Sequence, residues 1–425
     1  MSIVIRGGKP LKGTVRCDGA KNAALPIMAG AILSEDISII ENVPRLRDVE
    51  TMAHMLRALG VSVRIAGSSV RINPGKALHH EAPYDLVRMM RASFLVMGPL
   101  LVRLGRASVP LPGGCAIGQR PVDLHLKGFQ AMGAEVSVEG GFIHATAERG
   151  LTGAEIYLDV PSVGATENIM MAGVGADGVT VIENAAQEPE IVDLANYLNS
   201  MGADVSGAGT SRIKIEGVKR LNGARYSIIP DRIEASTFLV AGAVTRGKVL
   251  VENVIPTHVR AVLAKLKEGG AYLLEGARSV EIEMPDRPMP VNIKTLPYPG
   301  FPTDVQAPFM ALCSYSQGTS IISETVFENR FNHAEELNRM GAKVKIEDSN
   351  AIIEGVSRLT GASLQATDLR AGACLVLAAL GAEGTSEISG TEHIDRGYSD
   401  FARKLRLLGA DIDEIGVPRR HKVSL

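Results

Sequence analysis

The sequence predicts an α/β protein built from six βαβαββ units of about 70 residues, gathered as two domains with helices inside and sheets outside. Three observations carry this. A glycine, usually followed by alanine and then a strand, recurs at Gly60, Gly133, Gly202, Gly270, Gly341 and Gly409, in steps of 73, 69, 68, 71 and 68 residues. A Leu-x-Gly mark opens units at Leu11, Leu151, Leu221 and Leu359. The first helix of each unit (23–33, 92–102, 169–174, 237–244, 307–313 and 371–380) is small or apolar nearly all round. A helix without a polar face is buried. The second helix of each unit has a charged side, as in 259–267 and 401–408. Six such units could close as one ring or divide into two sets of three; the size limit on a single core favours two.

The third unit shows the pattern most clearly. A strand at 154–158 leads to the polar turn Ser162-Val163-Gly164-Ala165-Thr166 and a small-residue helix. A β-branched strand follows at 179–183, then an amphipathic helix at 191–201 ending at Gly202, where glycine can take the left-handed C-cap. Alternating strands at 204–206 and 212–216 complete the unit.

Composition narrows the function. The 425 residues are 45% hydrophobic but only 4% aromatic, and tryptophan is absent, so the core is aliphatic. Basic and acidic residues nearly cancel, 45 against 47, which leaves no electrostatic footprint for nucleic acid. The four cysteines, Cys17, Cys115, Cys313 and Cys374, form no C-x-x-C pair, so no zinc cage or dithiol motif is expected. Cys313 and Cys374 lie in apolar runs and read as core. The N-terminus lacks a signal-peptide core, and the longest apolar run, 92–102, is too short to span a bilayer. The expectation is a cytoplasmic protein with no membrane insertion.

Polar groups stand just before each buried helix: Lys21-Asn22, Arg91, Ser162, Asp231-Arg232, Asp304 and Asp368 with Arg370. From Asn22 through Arg91, Ser162, Arg232, Asp304 and Arg370 the steps are 69, 71, 70, 72 and 66 residues. Asp and Ser suit N-caps. Lysine and arginine are mildly repelled by a helix N-terminus, so their recurrence argues for a bound anion. Lys21, Arg91, Arg120, Arg232, Arg370 and Arg396 together would suit a ligand with several negative groups. Thirteen residues before the recurring glycine lie Arg47, Arg120 and Arg396; the third unit has Glu188-Pro-Glu190 in that region. A glycine-rich loop, Pro-Gly-Gly-Cys115-Ala-Ile-Gly-Gln-Arg120, can bend over a ligand and carries a thiol that a nearby cation would activate.

These residues resemble a known family. The stretches Gly-Ala-Lys21-Asn22-Ala-Ala-Leu, Met-Arg91-Ala-Ser, Leu-Pro-Gly-Gly-Cys115-Ala-Ile-Gly-Gln-Arg120-Pro-Val-Asp-Leu-His125, Pro-Asp231-Arg232-Ile-Glu, Phe-Pro-Thr-Asp304, Glu-Asn-Arg330-Phe, Ala-Thr-Asp368-Leu-Arg370-Ala and His-Ile-Asp-Arg396-Gly-Tyr are similar to those of the UDP-N-acetylglucosamine 1-carboxyvinyltransferases. The resemblance spans essentially the whole chain. It implies an inside-out α/β barrel in which residues 1–20 and 230–425 form one domain and 21–229, carrying the Cys115 loop, the other. The chain would cross between them near residues 20 and 229.

The resemblance also implies an activity: enolpyruvyl transfer from phosphoenolpyruvate to the 3′-hydroxyl of UDP-N-acetylglucosamine, with release of phosphate, the first committed step of peptidoglycan synthesis. It implies Cys115 as proton donor and fosfomycin target, Asp304 at the 3′-hydroxyl, and Lys21 and Arg396 in catalysis. Lys21, Asn22, Arg120, Arg330, Arg370 and Arg396 would hold phosphoenolpyruvate. Asn22, Arg91, Arg120, Pro121, Val122, Asp123, Leu124, Ser162, Val163, Gly164, Asp304 and Val326 would hold the nucleotide sugar. No metal or organic cofactor is implied, and no protein partner. Some relatives carry a lysine where this chain has Val160. The sister enolpyruvyl transferase of shikimate phosphate, implied to share the fold, lacks the Pro-Gly-Gly-Cys loop.

Overall fold

The third unit turns its pattern into structure with little change. In the computed structural model, which describes residues 2–111 and 122–416, strand Glu155–Tyr157 leads into helix Val163–Gly173. Strand Val179–Glu183 then pairs parallel with Glu155–Tyr157 and antiparallel with Arg212–Glu216. The helix starts earlier than its apolar run because Ser162 caps it, its side chain accepting from the Ala165 N–H at 3.3 Å. The outer helix Pro189–Ser200 opens with proline at the first turn, where the missing N–H costs nothing.

Repeated, this unit gives six sheets among the described residues, five of four strands and one of three. The central helices Val163–Gly173, Arg232–Val244, Gln306–Ser314 and Leu369–Gly381 are buried along almost their whole length. In the half that contains the last three, all three pack on one another. The sheets face outward with alternating exposed and buried residues, as in Arg212–Glu216. Helices inside and sheets outside make this an inside-out α/β barrel.

The second unit departs from the uniform pattern in two ways. The expected helix over 92–102 is a 3-10 segment, Arg91–Val96, followed by an α-helix, Met97–Leu104. Pro99 sits in its first turn, a position that does not need its N–H. Gly98, whose N–H donates to Asn168 Oδ1 at 2.8 Å, lies so close to the neighbouring helix that a Cβ would fall 2.5 Å from the Asn168 carbonyl. The second departure is the three-strand sheet, which lacks a leading strand. The segment before it contains Pro74 and Pro83, which cannot donate ladder hydrogen bonds, and keeps only one bridge, Glu81 to Ser108.

Two hydrophobic cores result. One runs from Ala20 to Ile228 and is centred on residues such as Met28, Met52, Phe129 and Tyr197. The other joins Ile3–Cys17 to residues between Ile233 and Ile412, including Phe238, Phe309 and Tyr398. The chain begins in the second lobe: Ser2–Arg6 lies between Thr385–Ser389 and Asp411–Ile415. It crosses to the first lobe after Cys17 and returns beyond Ile228. The two crossings are tied to each other: Ala20 N–H donates to Ile229 O at 2.8 Å and Asp231 N–H to Asp18 O at 2.9 Å.

At the crossing, Gly19 presses against Asn42, and a Cβ there would stand 1.8 Å from the Asn42 carbonyl oxygen. Gly19→Ala must therefore displace the double crossing. It is expected to lower stability by about 1–3 kcal/mol, the usual cost of overpacking, measured by urea unfolding. An unchanged midpoint would show that the crossing has slack.

Candidate active site

The helix starts divide into two kinds. Ser162, Asp231 and Asp368 are N-caps; Asp368 Oδ1, for example, accepts from the N–H groups of Arg370 and Ala371 at 2.8 and 3.0 Å. Lys21 and Asp304 are not caps. Lys21 opens the helix Lys21–Gly30, and its N–H donates to Asp231 Oδ2 at 3.2 Å across the lobe crossing. Its ammonium, unwelcome beside a helix N-terminus, meets Asp48 Oδ2 at 3.3 Å. The other oxygen of Asp48 accepts from Arg396 Nε at 2.9 Å. Asp48 is only 4% exposed, so one buried carboxylate joins cations from both lobes.

Asp304 is the second such carboxylate. Its Oδ1 meets Arg330 Nη2 at 2.5 Å and its Oδ2 meets Arg370 Nη2 at 3.3 Å. Both arginines are buried, and each guanidinium carbon lies 5.3 Å from the centre of an aromatic ring, Phe327 under Arg330 and Tyr398 under Arg370. Burial pushes the Asp304 carboxyl up, but Arg370, Arg330 and Lys21 outweigh it and hold it well below the usual carboxylate range. Burial pulls the Lys21 ammonium down; Asp48 and Asp304 oppose this, while Arg370 and Arg396 add to it. The two carboxylates and four cations are thus one electrostatic unit.

A second group lies on the first lobe. His125, 8% exposed, stands edge-on to Phe94 at 5.0 Å. The Asn168 amide is oriented by Gly98 N–H on Oδ1, so its Nδ2 donates to Phe94 O at 3.1 Å and to His125 Nδ1 at 3.2 Å. This leaves the proton of the neutral imidazole on Nε2. Burial, helped by the Arg91 charge, pulls His125 down to about 3. Gly164 lies against the ring: a Cβ there would be 3.3 Å from Nε2. The start of the Val163–Gly173 helix, with its free N–H groups, therefore sits beside a neutral N–H donor and near Arg91.

The structure gathers Lys21, Asp304, Arg330, Arg370 and Arg396 into the first group, and Arg91 and Gly164 into the second around His125. Ser162 caps the helix that carries Val163 and Gly164. Asn22 is half-buried beside Lys21 in the same helix. Asp123 and Leu124 open the outer helix Asp123–Ala131, directly after Val122. Val326 is 37% exposed, and its N–H donates to Glu324 Oε1 at 2.8 Å. Cys115, Arg120 and Pro121 lie outside the described residues.

One expectation is corrected. Arg232 is not an open cation for a ligand: its Nε binds both oxygens of Glu190, at 3.0 and 3.2 Å. The pair is nearly dry, with side chains 10% and 3% exposed. The acidic Glu188-Pro-Glu190, standing where other units carry arginine, was the available signal. Asp48 and His125 were also missed as site residues. Asp48 follows the recurring Arg47, but the matching positions are Pro121 and Gly397, so the repeat gave no mark.

A depressed carboxyl stabilises the fold fully above its unfolded pKa, near 4, and progressively less as pH falls below it. Asp304→Asn leaves two buried arginines without their anion. It is expected to unfold at lower urea than wild type at pH 7, with the gap closing below about pH 4. A gap independent of pH would mean that the ion pairs contribute nothing to stability.

Residues 5–405 match the family model described as EPSP synthase (3-phosphoshikimate 1-carboxyvinyltransferase). The chain is 57% identical to UDP-N-acetylglucosamine 1-carboxyvinyltransferase 1 of Caldanaerobacter subterraneus subsp. tengcongensis, over 96% of this chain and 98% of that protein. It is 56% identical to UDP-N-acetylglucosamine 1-carboxyvinyltransferase 2 of Carboxydothermus hydrogenoformans, over 97% and 99%. The crystal structure of the enolpyruvyl transferase NikO from Streptomyces tendae superposes with a TM-score of 0.86 at 27% identity, covering 97% of this chain and 98% of that one. With its inside-out barrel and near full-length identity to these transferases, the chain belongs to the UDP-N-acetylglucosamine 1-carboxyvinyltransferase family.

Proposed function

We propose that this chain transfers the enolpyruvyl group of phosphoenolpyruvate to the 3′-hydroxyl of UDP-N-acetylglucosamine and releases phosphate. The observation that carries the reading is the interlobe cluster of Lys21, Arg330, Arg370 and Arg396 around Asp48 and Asp304. Phosphoenolpyruvate brings a carboxylate and a phosphate, and planar guanidinium forks bind both in two-point contacts. Lys21, Arg396 and Arg120 take the phosphate side, and Arg330 and Arg370 the carboxylate side, with Asn22 alongside. The uridine diphosphate lies over Ser162, Val163 and Gly164, where helix N–H groups and His125 Nε2–H offer donors and Arg91 adds charge. Residues 121–124 and Val326 flank it. Val160, where some relatives have lysine, is 59% exposed, so backbone N–H groups carry more of that contact.

Cys115 protonates the methylene carbon of phosphoenolpyruvate, and positive character builds at C2. The 3′-oxygen adds there while its proton passes to Asp304. A carboxylate held so far below its ordinary range is a poor base for a free alcohol. Proton loss must therefore accompany C–O bond formation, when the hydroxyl becomes acidic. The Cys115 thiolate left by that protonation takes back a proton from the methyl group of the tetrahedral intermediate, the C–C double bond re-forms, the C–O bond to phosphate breaks, and phosphate leaves. Residues 1–20 with 230–425 make one domain and 21–229 the other, in keeping with the two cores. No described helix is long and apolar enough to cross a membrane, which agrees with a cytoplasmic site of action.

Phosphate release should require both substrates, and shikimate 3-phosphate should not replace the UDP-sugar. No release from the pair would remove the reading. Asp304→Ala is expected to cut kcat by about 10²–10⁴-fold with UDP-sugar affinity little changed; equal losses would reassign Asp304 to plain binding. Cys115→Asp retains a proton donor without the soft nucleophile, so turnover should survive while fosfomycin alkylation stops. Fosfomycin inhibition at wild-type potency in that variant would exclude Cys115 as its target.

A further inference from the structure

Behind the Asp304–Arg330 pair lies a small polar cluster in an otherwise apolar core. Gln306 and His333 are 0% and 2% exposed. Both reach the sulfur of Met310: Gln306 Nε2 at 2.7 Å and His333 Nε2 at 3.0 Å. Gln306 and Met310 stand one turn apart on the helix Gln306–Ser314, which begins two residues after Asp304. His333 lies in the short turn Phe331–Ala334, which follows Arg330 directly, and it precedes the helix Ala334–Arg339. The turn is closed by Ala334 N–H on Phe331 O at 2.9 Å. Two rungs therefore join the Arg330 segment to the Asp304 segment: Arg330 on Asp304, and His333 on Met310.

Stability does not account for this cluster. Gln306 Oε1 is buried with no hydrogen-bond partner among the described residues, and so is Arg330 Nε. A buried polar atom left unpaired keeps the full penalty of its lost hydration. A leucine at either position would fill the space without that cost. A thioether is a weak acceptor, so the sulfur contacts only partly offset it. What the cluster does supply is direction: a stiff, planar imidazole fixed at its tip leaves the turn that follows Arg330 little freedom.

We propose that His333 is a positioning residue: seated on Met310 beside Gln306, it fixes the depth at which Arg330 meets the Asp304 carboxylate. The proposal rests on the transferase reading only for its kinetic consequences. The imidazole is neutral, lowered to about 4 by burial; Asp368 opposes this and Arg330 adds to it. A neutral ring can stand beside Arg330 without repelling it. The charged groups that bear on Asp304 include Arg370, Arg330, Lys21 and Arg232, and of these the proposal moves only Arg330.

The test compares wild type, His333→Ala, His333→Gln and Met310→Leu as full-length proteins. Glutamine keeps an N–H that reaches the sulfur; leucine keeps the volume of Met310 and removes the acceptor. The first readout is the pH titration of the Asp304 carboxyl carbon by NMR in the ligand-free protein, which needs no turnover. Loosening Arg330 should raise the Asp304 titration toward the ordinary range near 4 in His333→Ala and Met310→Leu, with His333→Gln close to wild type. The second readout is kinetic: KM for phosphoenolpyruvate should rise about tenfold while KM for the UDP-sugar stays within about twofold. The proposal is overturned if folded His333→Ala titrates as wild type, or if alanine and glutamine act alike, which would mark a packing role. Should His333→Ala fail to fold, Met310→Leu decides by the same titration. Wild type that releases no phosphate would sink the transferase reading and leave the titration result standing.

Discussion

Crowded positive charge at the junction of the lobes is the constraint on which the rest of this structure depends. Two unit charges about 6 Å apart near a protein surface repel by roughly 3 kcal/mol. Lys21, Arg330, Arg370 and Arg396 converge on one place and survive because Asp48 and Asp304 lie between them. Each carboxylate bridges two cations, so neither cation is left alone in a dry setting. Four cations against two carboxylates leave a net positive charge that attracts anions. The arrangement also explains the stacking of Arg330 on Phe327 and of Arg370 on Tyr398, which limits the directions these side chains can take.

The fold serves that junction. Apolar helices placed inside leave their N-termini free to meet between the lobes, while the outward sheets carry the solvent-facing residues. Three starts are closed by their own caps, among them those that carry Gly164 and Arg370, whereas Lys21 and Asp304 stand at starts with no side-chain cap. The Asp48–Arg396 pair and the Glu190–Arg232 pair both join residues of different cores. The first belongs to the cluster in which Asp48 joins Lys21 and Arg396. The second is nearly dry and lies beside the chain crossing. The crossing itself is two chain segments joined by a single antiparallel bridge, Gly19 to Pro230, with Gly19 against Asn42.

Much of this was legible in the chain. The recurring glycine and the apolar first helices gave the six units, since period and polarity are local properties. Lys21 and Arg370 were found because cations before a helix break a local rule, Arg396 by its place thirteen residues before a recurring glycine, and Arg330 by the family resemblance. Asp48 was not, because an acidic residue in the first turn of an amphipathic helix obeys every local rule. His125 was quoted within its motif but not ranked, since a lone histidine on a helix is usually core. Only Asn168, 43 residues away, shows that its Nδ1 is occupied and its Nε2 faces the helix start.

The sequence by itself determined the repeat, the inside-out arrangement of helices and sheets, and the residue types that would face an anion, because each follows from spacing along one segment. The tertiary structure decided which charges pair. Arg232 turned to Glu190, Asp48 came to rest between Lys21 and Arg396, and Asp304 was held ionised instead of being raised by burial. A carboxylate's strength as a base depends on which cations lie within a few ångströms, and in this chain those cations lie 26 and 66 residues away. Distance in space, fixed only when the lobes meet, sets that chemistry.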